Sequence, residues 1–202
     1  MKIQLVHYKD DTLGAEWRKR FDSHDDVAIV EGNICQMEVD AVVSPANSFG
    51  FMDGGLDLYL SERFGWDVQD RLQKLIKARP MRELLVGEAM VIPTEDAKVP
   101  WIISAPTMRV PMRLRQSINA YLAMKAILSV ALSHTGKPGI ETVAIPGLGT
   151  GCGKLPPEVA AIQMHEAYSE IICGEDKFPD SFGKAQRAHI NLNLPEINLW
   201  DP

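Results

Sequence analysis

Two glycine-rich segments hold most of the residues whose types and spacing could do chemistry. Residues 44–57 contain Asn47 and end in Gly54-Gly55-Leu56-Asp57, and residues 146–156 contain four glycines at alternate positions. Glycine lets backbone N–H groups approach a ligand closely, and free N–H groups ahead of a helix bind anions such as phosphate. Both segments follow apolar strand-like runs, which makes tight turns alone the less favoured interpretation. Together they predict a diphosphate site.

Asn47 and Asp57 are the candidate catalytic side chains within the first segment. Asn47 offers an amide donor and a carbonyl acceptor, which suits a pair of ribose hydroxyls. Asp57 falls in the first turn of a predicted helix, where stabilisation of the helix dipole is the simpler role. Because Asp57 stands ten residues after Asn47 and two residues after a Gly-Gly pair, a water-activating role becomes the better interpretation.

Common nucleotide and hydrolase motifs do not fit these segments. A P-loop ending at Lys154 would need glycine at Leu148 and Ser or Thr at Leu155. The dinucleotide pattern GxGxxG fails from Gly147 and from Gly149, and neither GxSxG nor HExxH occurs in these segments. Kinase and standard dehydrogenase functions therefore lose their main support.

Alternating strand and helix patterns predict the elements that position these segments. The predicted strands are Ile3–His7, Val27–Val30, Ala41–Val43, Ala89–Ile92, Trp101–Ser104 and Thr142–Ile145. The predicted helices are Leu56–Phe64, Asp67–Ala78, Leu114–His134 and Pro157–Cys173. Residues 174–183 are loop-like, Ala188–Leu194 could form one more strand, and Trp200 is a candidate packing anchor. Buried strands alternating with helices indicate an α/β fold with a largely parallel sheet, whose ligands bind beyond the carboxyl ends of the strands.

Composition narrows the class of protein without naming a function. The chain has 202 residues, 46% of them hydrophobic and 24% charged, as in ordinary globular proteins. Its net charge of −6 argues against duplex nucleic acid as a partner. The three cysteines are an odd number without a secretory signal, so we expect a cytoplasmic protein. No apolar run is long enough to predict a membrane span.

Three motifs in this order and spacing resemble the macro domains that bind ADP-ribose. They are Gly32-Asn33-Ile34-Cys35, Val42-Val43-Ser44-Pro45-Ala46-Asn47, and the segment from Ala144 to Gly151. Asn47 followed by six residues and Gly54-Gly55-Leu56-Asp57 is similar to the signature of the MacroD-type branch, whose members are hydrolases. The resemblance implies a three-layer α/β/α fold with a mixed, mostly parallel sheet of about six strands over residues 1–173. Residues 174–202 are then an extension packed on that domain or trailing from it.

The resemblance also assigns roles to residues. It implies that Asn47 and Asp57 are catalytic and that Asn33 and Ile34 contact adenine. The residues that would bind the rest of ADP-ribose are Asn47, Gly54, Gly55, Leu56, Gly147, Leu148, Gly149, Thr150, Gly151, Cys152 and Gly153. No metal and no cofactor are implied.

Several positions depart from the family pattern. Asn33 replaces an Asp that binds the adenine amino group, so this hydrogen bond loses its charge. Ser44 replaces the first Asn of the family's motif, and the usual aromatic near the distal ribose is absent around Cys152. Phe49 or Phe51 could supply that aromatic face, although packing is the commoner role. Asp53 would repel a nearby phosphate unless it points outward.

The resemblance leads to an expected activity with three alternatives. We expect hydrolysis of mono-ADP-ribose esters at the distal ribose, with ADP-ribosylated Asp or Glu of a protein, or O-acetyl-ADP-ribose, as substrate. The alternatives are a non-catalytic reader of ADP-ribosylated partners, a phosphatase acting on ADP-ribose-1″-phosphate, and a structural module without nucleotide.

Overall fold

One mixed sheet of six strands runs through the computed structural model, which describes residues 1–193. The strands are β1 (Lys2–His7), β2 (Val27–Glu31), β3 (Ala41–Ser44), β4 (Met90–Asp96), β5 (Val99–Ser104) and β6 (Thr142–Pro146). The helices are α1 (Asp11–Phe21), α2 (Gly55–Phe64), α3 (Asp67–Lys77), α4 (Asn119–Ser133), α5 (Pro157–Ile171) and α6 (Phe182–Asn191). A short 3-10 turn, Ile34–Gln36, follows β2.

The strand order, β2-β1-β6-β3-β5-β4, places the two glycine-rich segments after neighbouring central strands. All pairs are parallel except β4 with β5. The carboxyl ends of the other five strands therefore meet at one edge of the sheet. The predicted mixed, mostly parallel sheet of about six strands is confirmed.

Helices cover both faces of the sheet and complete the three predicted layers. One core cluster joins α1, α4 and α5 to the face that carries Val43, Ile103 and Ile145. The other joins α2 and α3 to the face that carries Val42 and Ile102. Because successive strand residues face opposite sides, Ser44 lies on the same face as Val42, beneath α2.

The first helix was absent from the predicted elements. Asp10 caps α1 by accepting the N–H of Leu13, and Leu13, Trp17 and Phe21 bury one face of it. Their spacing of four residues is a helical signal, although the charged residues between them obscure it. The helix also makes β1 and β2 parallel, because it provides the crossover between them.

Two predicted elements are corrected. The fourth helix begins at Asn119 instead of Leu114, because Gln116 has a positive φ of 55° that interrupts helical backbone. The strand predicted over 188–194 is wrong, since 182–191 form α6, capped by the Ser181 hydroxyl. This helix buries no side chain and gains no sheet partner.

Part of the C-terminal extension contacts the domain. The Gln163 side chain on α5 donates to the carbonyl of Leu192, and Lys177 pairs with Glu166. The predicted anchor Trp200 lies outside the described residues. Within residues 1–193 no helix is long and apolar enough to cross a bilayer.

Candidate functional site

A cleft of about 1070 Å³ opens over the carboxyl edge of the sheet. Five strand-to-helix connections line it, namely those after β1, β2, β3, β5 and β6. Every predicted site residue lines this cleft except Leu148, whose side chain is fully buried in the core. The predicted residues thus come together in one place.

The β3–α2 loop, residues 45–54, is held in shape by the side chain of Asn47. Its carbonyl oxygen accepts the N–H groups of Phe49 (3.1 Å) and Phe51 (3.3 Å). Its amide nitrogen donates to the carbonyl of Phe51 (2.8 Å). An amide oxygen has two lone pairs and an amide nitrogen two hydrogens. Asn47 therefore retains one N–H for a ligand and no acceptor.

The Asp57 carboxyl group lies beneath the cleft, with 7% of the residue exposed. One oxygen, Oδ1, accepts a hydrogen bond of 2.6 Å from the hydroxyl of Ser44 at the end of β3. Burial raises the pKa of the Asp57 carboxyl from 3.8 to about 6, and the Ser44 hydrogen bond works against that rise. Asp57 is thus ionised at neutral pH, yet basic enough to accept a proton.

The N-terminus of α2 opens on the cleft without a side-chain cap. Gly54, Gly55, Leu56 and Asp57 all line the cleft, and Gly54 carries no group that could bond the first-turn amides. Gly55 has a φ of 58°, which favours glycine. The free N–H groups and the helix dipole suit an anion here.

The β6–α5 loop, residues 147–156, is shaped by packing. A Cβ on Gly153 would overlap the carbonyl oxygen of Gly149 and crowd Leu114. Leu114 donates its N–H to Gly153, and Leu155 donates to Gly149. Within the described chain, the N–H groups of residues 148–153 have no protein acceptor. Those of residues 149–153, which line the cleft, are available to an anion there.

The helix that follows this loop does not contribute its N-terminus to the cleft. Pro156 and Pro157, at its start, have no N–H groups. Pro156 and Val159 line a separate cavity of about 540 Å³, together with Arg115 and Lys154. The sequence placed both loops ahead of anion-binding helices, whereas only α2 opens on the cleft.

Hydrogen bonds between loops fix the wall beside Asn47. The β3–β5 pairing continues past the strands, with Thr107 donating to Ala46 and Ser48 donating to Arg109. The Arg109 guanidinium forms two hydrogen bonds to Glu83 and lies 5.0 Å from the centre of the Phe49 ring. Phe49 therefore has a fixed support behind it, whereas Phe51 stands 54% exposed at the mouth.

At the other end of the cleft, Asn33 has one acceptor position left. Its side-chain oxygen already accepts the N–H of Cys35 (2.9 Å) and caps the 3-10 turn. Tyr8 and Asp10, from the connection after β1, also line this cleft. These two residues were not predicted as site residues. The helical spacing of Leu13 and Trp17 was the signal that could have found them, because a helix after β1 puts the connection that carries Tyr8 and Asp10 at this edge of the sheet.

The cleft carries negative side chains and no positive ones among its described lining residues. Asp10, Asp53 and Asp57 line it, and no Lys or Arg does. Asp53 is exposed. An anion in this cleft therefore meets backbone N–H groups, the α2 dipole and neutral side-chain donors such as the remaining N–H of Asn47, and no Lys or Arg charge from the described lining residues.

Comparison with known proteins identifies the family. A model of the Macro domain matches residues 43–164. The chain belongs to the macro domain family. This macro domain is 33% identical over 141 residues to an uncharacterized protein of Aquifex aeolicus, covering 70% of this chain and 79% of the relative.

Solved macro domains share its fold. The Oceanobacillus iheyensis macrodomain with ADP superimposes with a TM-score of 0.60 at 16% identity, covering 72% of this chain and 75% of that one. A Trypanosoma brucei macrodomain in complex with ADP-ribose gives 0.52 at 20% identity, covering 69% and 56%. The resemblance to macro domains is confirmed, and the MacroD-type branch stays a prediction.

Proposed function

We propose that this macro domain binds ADP-ribose in the cleft and hydrolyses an ester bond at the distal ribose. The adenine lies at the Asn33–Ile34 end, the diphosphate between the two glycine loops, and the distal ribose beside Asn47 and Asp57. Two structural neighbours are described with ADP or ADP-ribose, which supports this class of ligand. The cleft of about 1070 Å³ has room for it.

Free backbone N–H groups support the diphosphate position. Residues 149–153 and the first turn of α2 present unpartnered donors from two sides of the cleft. Neutral donors with fixed geometry bind an anion without a net positive site. An acidic cleft is therefore compatible with an anionic ligand.

The observation that carries the hydrolase proposal is the Asp57 carboxyl group. It is buried, lines the cleft and has a pKa raised to about 6. In the proposed reaction Asp57 orients or deprotonates a water that attacks the anomeric carbon. The bond from that carbon to the ester oxygen breaks, and the acyl group leaves as a carboxylate. Mono-ADP-ribosylated Asp or Glu of a protein has this bond, and so does O-acetyl-ADP-ribose whose acetyl group is on the anomeric oxygen.

Calorimetry tests the ligand and a release assay tests the reaction. We expect ADP-ribose to bind with a Kd below 1 mM, about 4 kcal/mol or more of binding free energy, and AMP to bind more weakly. Absence of ADP-ribose binding would contradict the family's ligand class for this chain.

Release of ADP-ribose from a mono-ADP-ribosylated acidic side chain should fall about 10²–10⁴-fold in Asp57→Asn. Asp53→Asn, which removes a neighbouring charge outside the proposed chemistry, is the matched control and should retain activity. Equal release by wild type and Asp57→Asn would remove Asp57 from the reaction.

One observation favours a non-catalytic reader as the second candidate. Asn47 is occupied by its own loop and keeps a single donor, so it holds the distal ribose less fully than a free amide would. A reader binds ADP-ribose and releases none from either ester. Phosphate release from ADP-ribose-1″-phosphate without ester hydrolysis would instead indicate a phosphatase.

A further inference from the structure

Ser44 is the one described side chain that hydrogen-bonds the Asp57 carboxyl group. Ser44 is the last residue of β3 and is fully buried. Its hydroxyl donates to Oδ1 of Asp57 over 2.6 Å, from strand to helix. The other oxygen of Asp57 has no protein partner within residues 1–193. One oxygen is thus fixed from below, and the other is free on the side of the cleft.

The neighbouring serine on β5 shows that this contact is specific. Ser104 pairs in register with Ser44, so both side chains lie on the α2 face of the sheet. Ser104 is equally buried, yet its hydroxyl has no hydrogen-bond partner. Two buried hydroxyls therefore sit side by side, and only that of Ser44 meets the carboxylate.

We propose that Ser44 is a positioning residue, whose hydroxyl fixes the Asp57 carboxylate with its free oxygen toward the distal ribose. The proposal rests on the proposed hydrolase function. Ser44 touches no substrate and acts through Asp57. It stands where the chain departs from the family's asparagine, and its short side chain leaves room for the carboxyl group of α2 to approach the strand.

A hydroxyl donor has an electrostatic consequence as well as a geometric one. A hydrogen bond donated to a carboxylate stabilises the charged form and lowers its pKa. Burial and Ser44 are the two causes that act on the pKa of Asp57. Removing the hydroxyl would leave burial unopposed.

Other titratable groups lie on α2 and around it. Those on α2 itself and on the elements packed against it are Cys35, Glu62, Arg63, Asp67, Asp70, Arg71, Lys74, Lys77, Glu95 and Asp96. The further titratable groups that line the cleft are His7, Tyr8, Asp10, Asp53, Tyr59 and Cys152. None of them is among the causes that shift the pKa of Asp57.

The test compares Ser44→Ala with Ser104→Ala and Ser44→Thr. The ¹³C chemical shift of the Asp57 carboxyl carbon is followed against pH, and the pH profile of kcat/KM for ester hydrolysis is measured in parallel. In Ser44→Ala we expect the pKa of Asp57 to rise by about one pH unit, and the acid limb of the kcat/KM profile to move by the same amount. We expect kcat to fall about tenfold, while KM stays within about twofold of the wild-type value. Ser44→Thr keeps a hydroxyl and should restore both readouts, and Ser104→Ala should match wild type.

Two results would overturn the proposal. One is an Asp57 titration that is the same in Ser44→Ala and wild type. The other is an equal shift in Ser104→Ala, which would make the effect one of general polarity beneath α2. Failure of the proposed function can be told apart from failure of this proposal. If the wild-type protein hydrolyses no ester at any pH, the titration of the Asp57 carboxyl group still shows whether Ser44 affects it.

Discussion

The two glycine loops of the cleft are built in different ways. In the β3–α2 loop, polar side chains add to packing. A Cβ on Gly50 would crowd Leu72 and Ile76, while Asn47 ties the backbone of Phe49 and Phe51. Just outside the two ends of the loop, Ser44 hydrogen-bonds Asp57. Gly54 and Gly55 have open space where a Cβ would stand. In the β6–α5 loop, packing makes the structure, because Gly153 lies directly against Gly149 and Leu114.

The difference separates two tasks. A loop fixed by close backbone packing keeps its N–H groups at constant positions, which suits binding of a charged group of fixed shape. A loop fixed by polar side chains keeps titratable groups in the site, which suits chemistry. We infer that the β6–α5 loop mainly binds and that the β3–α2 loop also carries the reaction. Substitutions in the two loops should therefore affect different measured properties, namely stability, ligand binding or activity.

Gly153→Ala should have the largest effect on stability. Its Cβ would overlap the backbone oxygen of Gly149, which cannot move without disturbing Leu155. We expect a loss of about 3 kcal/mol in the free energy of unfolding, measured by urea denaturation. Gly151→Ala is the matched control, since nothing lies within 4 Å of its added Cβ, and its stability should stay within about 0.5 kcal/mol of wild type. Equal losses in both would mean that packing does not fix this loop.

Asp57→Asn should stabilise the protein while it removes activity. The carboxyl pKa is about 6 in the folded state against 3.8 when unfolded, so ionisation costs free energy in the folded state. This cost is absent below about pH 4, grows as the pH rises through 6, and is fully present at pH 8. We expect Asn to add about 2 kcal/mol to the free energy of unfolding at pH 8 and almost nothing at pH 4.

Urea denaturation at the two pH values checks this prediction. Asp53→Asn serves as the control, because Asp53 is exposed and its replacement should not create a pH-dependent difference. A variant that loses stability at pH 8 would show that the hydrogen bond from Ser44 outweighs burial of the charge.

The sheet and the position of the cleft could be predicted because they depend on local patterns. Apolar runs such as 41–43 and 142–145 mark buried strands, and parallel strands bring their following loops to one edge. The glycine pair at 54–55 is also a local pattern, and it marked the start of α2. These inferences need no knowledge of which side chains meet.

The hydrogen bonds of the site could not be predicted, because they depend on loop geometry and on contacts between elements. Asn47 was expected to offer both a donor and an acceptor to ribose, yet its acceptor is used by Phe49 and Phe51. The contact of Ser44 with Asp57 joins a strand to a helix 13 residues later. The connection that carries Tyr8 was missed because α1 was missed.

Gly54→Ala should weaken ligand binding without affecting the fold. Gly54 has extended backbone that alanine adopts readily, and nothing in the protein meets its added Cβ. The methyl group would instead meet a diphosphate at the start of α2. We expect about a tenfold rise in the Kd for ADP-ribose, equivalent to about 1.4 kcal/mol, by calorimetry, with the free energy of unfolding unchanged within about 0.5 kcal/mol. Gly139→Ala is the control, since its added Cβ is equally open but lies away from the cleft, and it should change neither the Kd nor the free energy of unfolding. Unaltered affinity in Gly54→Ala would place the diphosphate elsewhere.

The charged side chains of the two loops provide the finest comparison. Asp53 of the β3–α2 loop lines the cleft, whereas Lys154 of the β6–α5 loop lines the separate cavity. Asp53→Asn should lower the Kd for ADP-ribose about two- to threefold at 50 mM salt, because an exposed charge repels the diphosphate weakly, and the gain should vanish near 0.5 M salt. Lys154→Gln should leave the Kd unchanged at both salt concentrations in the same titrations. A clear loss of affinity in Lys154→Gln would mean that the β6–α5 loop binds through charge as well as through its backbone N–H groups, and the division of tasks between the loops would have to be redrawn.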